Sequence, residues 1–110
     1  MQLSQTKIEE YLIIEFTGNL DTATSPDVEK EIKQLIENGE TKFIFNFENT
    51  KYMSSSGLRV LLSTAKKLKK TGELRISNLN SVIEEVFDVS GFSSILNVYK
   101  TQEDALSSAS

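Results

Sequence analysis

Apolar residues along the chain follow two alternating periods, one typical of strands and one typical of helices. Residues 11–17 and 42–47 are dense in Ile, Tyr and Phe, which favours buried strands. Between them, apolar residues recur at helical spacing, at Val28, Ile32, Leu35 and Ile36. Strands that alternate with helices in this way indicate an α/β domain with a largely parallel sheet.

The remaining segments extend the same pattern. Residues 3–8 form a weaker strand that is expected to pair antiparallel with the strand at residues 11–17. Further strands are predicted at residues 73–77 and 95–99. Because both faces of the strand at 42–47 are apolar, this strand is expected to be central. The sequence therefore predicts a mostly parallel sheet of four to five strands with an antiparallel N-terminal edge strand, packed with about four helices.

Local signals mark the helix ends. Ser25 is the predicted N-cap of the first helix, and Pro26 follows at the first helical position, where its missing N–H costs nothing. The third helix is predicted to start near Ser81, with Glu84 completing a capping box. A short last helix is predicted to be capped by Thr101. The third helix is expected to bury Val82, Ile83, Val86 and Phe87.

Composition narrows the possible functions. A chain of 110 residues suits one domain, residues 1–110. Histidine and cysteine are absent, which excludes Ser-His-Asp triads, Cys-His dyads and His- or Cys-ligated zinc. A net charge of -4 argues against a direct nucleic-acid partner. Because there is no signal-peptide pattern and no long apolar run, a cytoplasmic monomer without a membrane partner is expected.

The serine run after the central strand is the most informative motif. Ser54, Ser55, Ser56 and Gly57 open a predicted helix, where free backbone N–H groups and the helix dipole favour an anion. A serine here either caps the helix, worth ~1 kcal/mol, or accepts a phosphoryl group, whose charge suits that end. A cap uses one hydroxyl of the three, so the motif leaves both roles open.

Two neighbouring features extend this candidate surface. Glycine in a first helical turn costs up to ~1 kcal/mol relative to Ala, so Gly57 indicates that another helix or a partner protein approaches the backbone closely. The loop after the strand at 11–17 contains Asp21, which is expected to bond locally to the backbone, and Thr22. In a parallel sheet this loop and the serine run should open on the same edge.

Competing enzyme motifs are weak. The serine run lacks the spacing of a Walker A loop. Residues 63–66 and 70–72 resemble short signatures of penicillin-recognising enzymes, but they fall on one helix and its end. Carboxylates such as Asp21 and Glu48 have no pattern that predicts a working pair. No catalytic, metal or cofactor site is therefore predicted, and the remaining alternative is a small nucleotide- or anion-binding module at the helix N-terminus.

Three segments, in order and with matching spacing, resemble the bacterial anti-sigma factor antagonist family, the STAS domain. Residues 18–21 match its Gly-x-Leu-Asp loop. The strand at 42–47, followed by residues 52–58, matches its strand and Met-Asp-Ser-Ser-Gly-Leu signature. Residues 87–92 match its Phe-x-x-Ser-Gly-Leu segment. The resemblance covers nearly the whole chain and implies a single STAS domain.

The resemblance implies a switch between partners. In the family, the unphosphorylated antagonist binds an anti-sigma factor that is also a serine kinase, which releases the sigma factor. The kinase then phosphorylates the first serine of Ser-Ser-Gly-Leu, and a serine phosphatase reverses the modification. By position the acceptor is Ser55, and the expected partner-binding residues are Asp21, Thr22, Ser54, Ser56 and Gly57.

Ser54 stands where the family usually has Asp. This departure removes a negative charge beside the acceptor and adds a rival hydroxyl, while the distance to Gly57 and Leu58 favours Ser55. The other reading of the resemblance is a STAS scaffold without a switch, which binds a transporter or signalling assembly constitutively.

Overall fold

In the computed structural model, which describes residues 1–108, five strands form one sheet in the order β1-β2-β3-β4-β5. The strands are β1 (Gln2–Ile8), β2 (Tyr11–Thr17), β3 (Lys42–Asn49), β4 (Glu73–Ser77) and β5 (Asn97–Tyr99). β1 pairs antiparallel with β2, and each later strand pairs parallel with its predecessor. The predicted sheet is confirmed, including the antiparallel edge and the central position of β3.

Four helices pack against this sheet. They are α1 (Ser25–Glu37), α2 (Ser55–Leu68), α3 (Ser81–Val89) and α4 (Gln102–Ser107). A short 3-10 turn, Phe92–Ser94, links α3 to β5. Buried residues of α1, α2 and α3 share one core with alternate positions of β2 and β3, while Ala105 of α4 packs on the opposite face. No helix within residues 1–108 is long and apolar enough to cross a membrane.

Phenylalanine rings form the centre of the main core. Phe16, Phe43, Phe45 and Phe47 are fully buried. The rings of Phe16 and Phe47 stack with centroids 4.5 Å apart, and Phe45 meets Phe16 edge-on at 5.0 Å. These contacts join the C-terminal part of β2 to the C-terminal part of β3. They therefore fix the strand ends that lead into the loops of the candidate site.

The start of α1 differs from the prediction by one residue. Thr24, not Ser25, is the N-cap, and its side chain makes no cap bond to the helix. The Asp21 carboxylate accepts the backbone N–H groups of Ala23 and Thr24, both at 3.0 Å. Because this turn ends at Thr24, Ser25 is the first residue of the helix. The Ser25 hydroxyl donates to the Asp21 carbonyl.

α3 starts at Ser81, as predicted, but a different residue caps it. Asn80 is the N-cap, and its side chain accepts the Ile83 N–H at 2.8 Å, so Ser81 and Glu84 form no capping box. The Asn80 amide also donates to the Thr50 and Lys51 carbonyls. These contacts to a distant loop decide where the helix begins.

The helix face that α3 buries is narrower than predicted. Ile83 and Phe87 are buried, but Val82 is 62% and Val86 38% exposed. The last strand starts at Asn97 rather than at Ile95, because residues 92–94 turn first and leave Ile95 66% exposed. Three apolar side chains expected to be in the core or in a strand therefore face solvent.

A buried arginine organises the second face of the sheet. Arg75 is 1% exposed, and its guanidinium donates to the carbonyls of Ala105 and Ser108 in the C-terminal segment. It also pairs with Glu73 at 3.1 Å and lies 4.9 Å from the centroid of the Tyr11 ring. A buried charge needs such partners, and here they hold α4 against the sheet.

The Tyr11 phenol is expected to make stability fall at alkaline pH. Burial, together with the hydrogen bond to Glu73 and its charge, raises the pKa of Tyr11 to about 12. An unfolded tyrosine ionises near pH ~10. The free energy of unfolding therefore falls by about 2 kcal/mol as the pH rises from about 10 to about 12. Urea unfolding across this range should show the loss.

Tyr11→Phe tests the assignment, because it should remove most of that alkaline loss. Tyr52→Phe is the matched control, since Tyr52 is half exposed, and it should keep the wild-type profile. An unchanged profile in Tyr11→Phe would show that other groups cause the loss.

Candidate functional site

The predicted site residues meet at the carboxyl edge of β2 and β3. Leu20, in the loop after β2, pairs with Met53 in an isolated parallel bridge. The Leu20 N–H donates to the Tyr52 carbonyl at 3.0 Å, and the Ser54 N–H donates to the Leu20 carbonyl at 2.9 Å. The prediction that both loops open on one edge is confirmed. We call the surface formed by Asp21, Thr22, Ser54, Ser55, Ser56 and Gly57 the serine patch.

The three consecutive serines of the serine patch have different environments. Ser54 is the N-cap of α2 and accepts the Gly57 N–H at 3.3 Å. The hydroxyls of Ser56 and Thr22 share a hydrogen bond of 3.3 Å. Ser55 is exposed, and its hydroxyl has no hydrogen-bond partner among residues 1–108. The serine that caps the helix, Ser54, is therefore not the serine with an available hydroxyl, Ser55.

Ser54 caps α2, a role that Asp, the residue type implied at this position by the resemblance, would also fill. Ser and Asp are both leading N-cap residues, since a side-chain oxygen of either accepts an N–H of the first turn. What changes is the charge, because the first turn of α2 contains no acidic residue. The first N–H groups of a helix have no partner within it, so this end of α2 suits an added anion.

Gly57 is buried beneath the patch rather than at its surface. A Cβ at this position would lie 2.8 Å from both Cγ and the carbonyl oxygen of Leu20, and 2.9 Å from Cγ of Met53. The sequence suggested a neighbouring helix or a partner protein, but the close neighbour is the loop of the chain itself. Glycine lets that loop lie directly on α2.

Asp21 acts on the patch through the backbone. Its carboxylate bonds to the two N–H groups that follow in the loop, as the local bond predicted from the sequence requires. Asp21 is half-buried and Thr22 exposed. The serine patch is thus built by Asp21, Ser54 and Gly57, and it presents Thr22 and Ser55 outwards, with Ser56 half-buried beside them.

The side chains of the patch carry hydroxyls and one carboxylate, beside the backbone amides at the start of α2. No group of three or more His, Cys, Asp or Glu residues within 1–108 is placed to hold a metal ion. The Thr64 hydroxyl, inside one of the enzyme-like signatures, donates to the Val60 carbonyl of the same helix at 2.8 Å. Among the three serines of the patch, Ser55 has the hydroxyl that is exposed and without a hydrogen-bond partner among residues 1–108.

Comparison with known proteins gives the family of the chain. The family model of the STAS domain matches residues 2–105. The chain belongs to the STAS domain family. This STAS domain is 36% identical to BtrV of Bordetella bronchiseptica, a protein described as a candidate anti-sigma factor antagonist, over 96% of the chain and 91% of that protein.

Two further proteins extend the comparison. The anti-sigma F factor antagonist of Paenibacillus polymyxa is 31% identical to this STAS domain, over 86% of the chain and 83% of that protein. The solved structure of the Bacillus cell fate determinant SpoIIAA in its phosphorylated form superposes with a TM-score of 0.72. It is 26% identical, and the match covers 96% of each chain.

Proposed function

We propose that this STAS domain is an anti-sigma factor antagonist whose serine patch binds an anti-sigma factor and whose Ser55 is the phosphorylation site that ends binding. The observation that carries the proposal is the exposed hydroxyl of Ser55 at the N-terminus of α2. It has no hydrogen-bond partner among residues 1–108 and lies between two serines whose hydroxyls are bonded. Relatives named as antagonists of anti-sigma factors support the choice of partner.

Each residue of the patch has a distinct role in this proposal. Thr22 and Ser56 contact the partner directly, and their shared hydrogen bond fixes the loop beside Ser55. Ser54 holds the helix start, while Asp21 and Gly57 set the shape of the surface from beneath. In this proposal Ser55 accepts a phosphoryl group and the patch binds a partner, so the protein acts as a substrate and binding partner rather than as an enzyme.

Phosphorylation would change the interface without refolding the domain. A phosphoryl group adds about -1.5 to -2 charge, which takes the net charge from -4 to about -6. At the N-terminus of α2 the helix dipole stabilises this charge. Within an interface, by contrast, an unpaired dianion is costly. The modified patch therefore stays folded and loses its partner.

The cycle needs two activities from other proteins. The anti-sigma factor itself acts as the serine kinase, so binding places Ser55 at its active site. The γ-phosphoryl group of ATP passes to the Ser55 oxygen, ADP leaves, the hydroxyl proton is released, and the phosphorylated antagonist dissociates. A serine phosphatase hydrolyses the phosphate and restores the binding form. In the unmodified state the antagonist holds the anti-sigma factor, and the sigma factor is free to direct transcription.

Phosphate mapping tests the proposal. Incubation with the anti-sigma factor kinase of the same organism and ATP should place one phosphate on Ser55, detected by mass spectrometry of proteolytic fragments. Ser55→Ala should take up none, whereas the matched variants Ser54→Ala and Ser56→Ala should still be modified. Phosphate on either neighbour would overturn the assignment, and binding without any modification would identify a constitutive scaffold instead.

A further inference from the structure

A groove of about 1010 Å³ runs along α2 from Arg59 to Lys69, outside the serine patch. Its apolar part includes Leu62, Leu74 and the exposed Ile95. Its cations include Arg59, Lys66 and Lys67. The groove therefore combines an apolar floor with positive charge, on a chain whose net charge is negative.

The helix dipole explains only part of this positive charge. Lys66 and Lys67 lie in the last turn of α2, where the dipole favours cations. Arg59 also lines the groove but lies near the helix N-terminus, where the dipole disfavours a cation. None of these three forms an ion pair within residues 1–108, and the lining carboxylate Glu73 is engaged by Arg75.

α3 carries the complementary properties on its surface. Val82, Val86 and Val89 are exposed, Val89 by 83%, and their spacing of four and three residues aligns them on one side of the helix. The exposed charged residues of α3 are all acidic: Glu84, Glu85 and Asp88. None of them forms an ion pair in the part of the chain that the structure describes.

We propose that α3 of a second copy of this chain occupies the groove. The valine stripe would cover the apolar floor near Ile95, and the carboxylates would meet the unpaired cations of α2. The lengths agree, because nine residues of α3 span roughly 13 Å and the α2 face from Arg59 to Lys69 roughly 15 Å.

The proposed contact between α3 and the groove is compatible with a symmetric dimer. Only residues 90–94 separate Val89 from Ile95, so each copy presents its helix next to its groove. Two copies related by a twofold axis can then exchange both contacts, as isologous dimers do. This proposed state differs from the monomer expected from the sequence, and it does not depend on the role of Ser55.

Complementary charge reversal tests the dimer. Light scattering over a concentration series should show the wild-type mass rising from 12.3 kDa towards twice that value. Lys66→Glu/Lys67→Glu and, separately, Glu85→Lys/Asp88→Lys should each weaken self-association by roughly 100-fold, since like charges then face each other. Mixing the two variants should restore the dimer, because every reversed pair is attractive again.

A matched control separates the groove from net charge. Lys30 and Lys33 are exposed on α1, and Lys30→Glu/Lys33→Glu should dimerise as the wild type does. A wild-type protein that stays monomeric at every concentration would overturn the proposal and leave the groove to an acidic helix of another protein. A dimer that survives the reversals, or a mixture that fails to associate, would also refute it.

Discussion

Phosphorylation of Ser55 is expected to weaken binding to the proposed anti-sigma factor by roughly a few hundred- to a thousandfold, equivalent to ~3 to 4 kcal/mol. The cause is a dianion placed at the centre of a contact surface that supplies no cation: the patch residues are Asp, Thr, Ser and Gly. Ser55→Asp should act in the same direction with a smaller effect, and Ser55→Ala should bind close to wild type. Titration calorimetry measures all four species.

The control for this prediction is a variant that carries an added negative charge outside the serine patch. Ser93→Asp adds one negative charge, as Ser55→Asp does, on an exposed turn outside the serine patch and should leave binding unchanged. The urea unfolding midpoint should also stay close to wild type after phosphorylation, because the helix start tolerates the charge. Equal affinity of Ser55→Ala and Ser55→Asp would defeat the electrostatic mechanism.

Phe47→Ala is expected to lower the free energy of unfolding by about 3 to 5 kcal/mol. The Phe47 ring is fully buried and stacks on Phe16 at 4.5 Å, so its removal leaves a cavity that neighbouring rings fill only in part. Since domains of this size are stable by about 5 to 15 kcal/mol, much of the stability would be lost. Urea unfolding followed by circular dichroism gives the value.

Phe47→Leu is the matched variant, because it keeps an apolar side chain and should cost less than ~1.5 kcal/mol. Phe47 also accepts the Thr50 N–H through its carbonyl at 3.0 Å, at the start of the loop that leads to the serine patch. A loss below ~1 kcal/mol in Phe47→Ala would mean that the aromatic cluster is not the centre of the core.

The sequence predicted the fold because strong local signals agreed with the global arrangement. β2 and β4 have the bounds predicted for them, residues 11–17 and 73–77, and Thr101 caps α4 through the Asp104 N–H as expected. The errors arose where distant groups decided the outcome. Asn80 caps α3 because its amide also reaches carbonyls near residue 50, and that contact cannot be inferred from the residues around it.

The site was predictable to the level of topology. The parallel sheet places the loop after β2 beside the serine run, as expected. The division of roles among Ser54, Ser55 and Ser56 was not predictable, because it depends on Thr22 reaching across from another loop. Arg75 was missed as well, since an arginine in a short strand gives no sign that C-terminal carbonyls will surround it.

The bridge between Leu20 and Met53 has a kinetic consequence. Main-chain hydrogen bonds join the loop after β2 to the segment after β3. The proposed docking surface therefore loses conformational entropy during folding, before a partner binds. Encounter then needs only correct orientation and no rearrangement of the free protein. In the proposed cycle, partner exchange would be governed by how quickly the complex dissociates, and phosphorylation of the Ser55 oxygen would act directly on that lifetime.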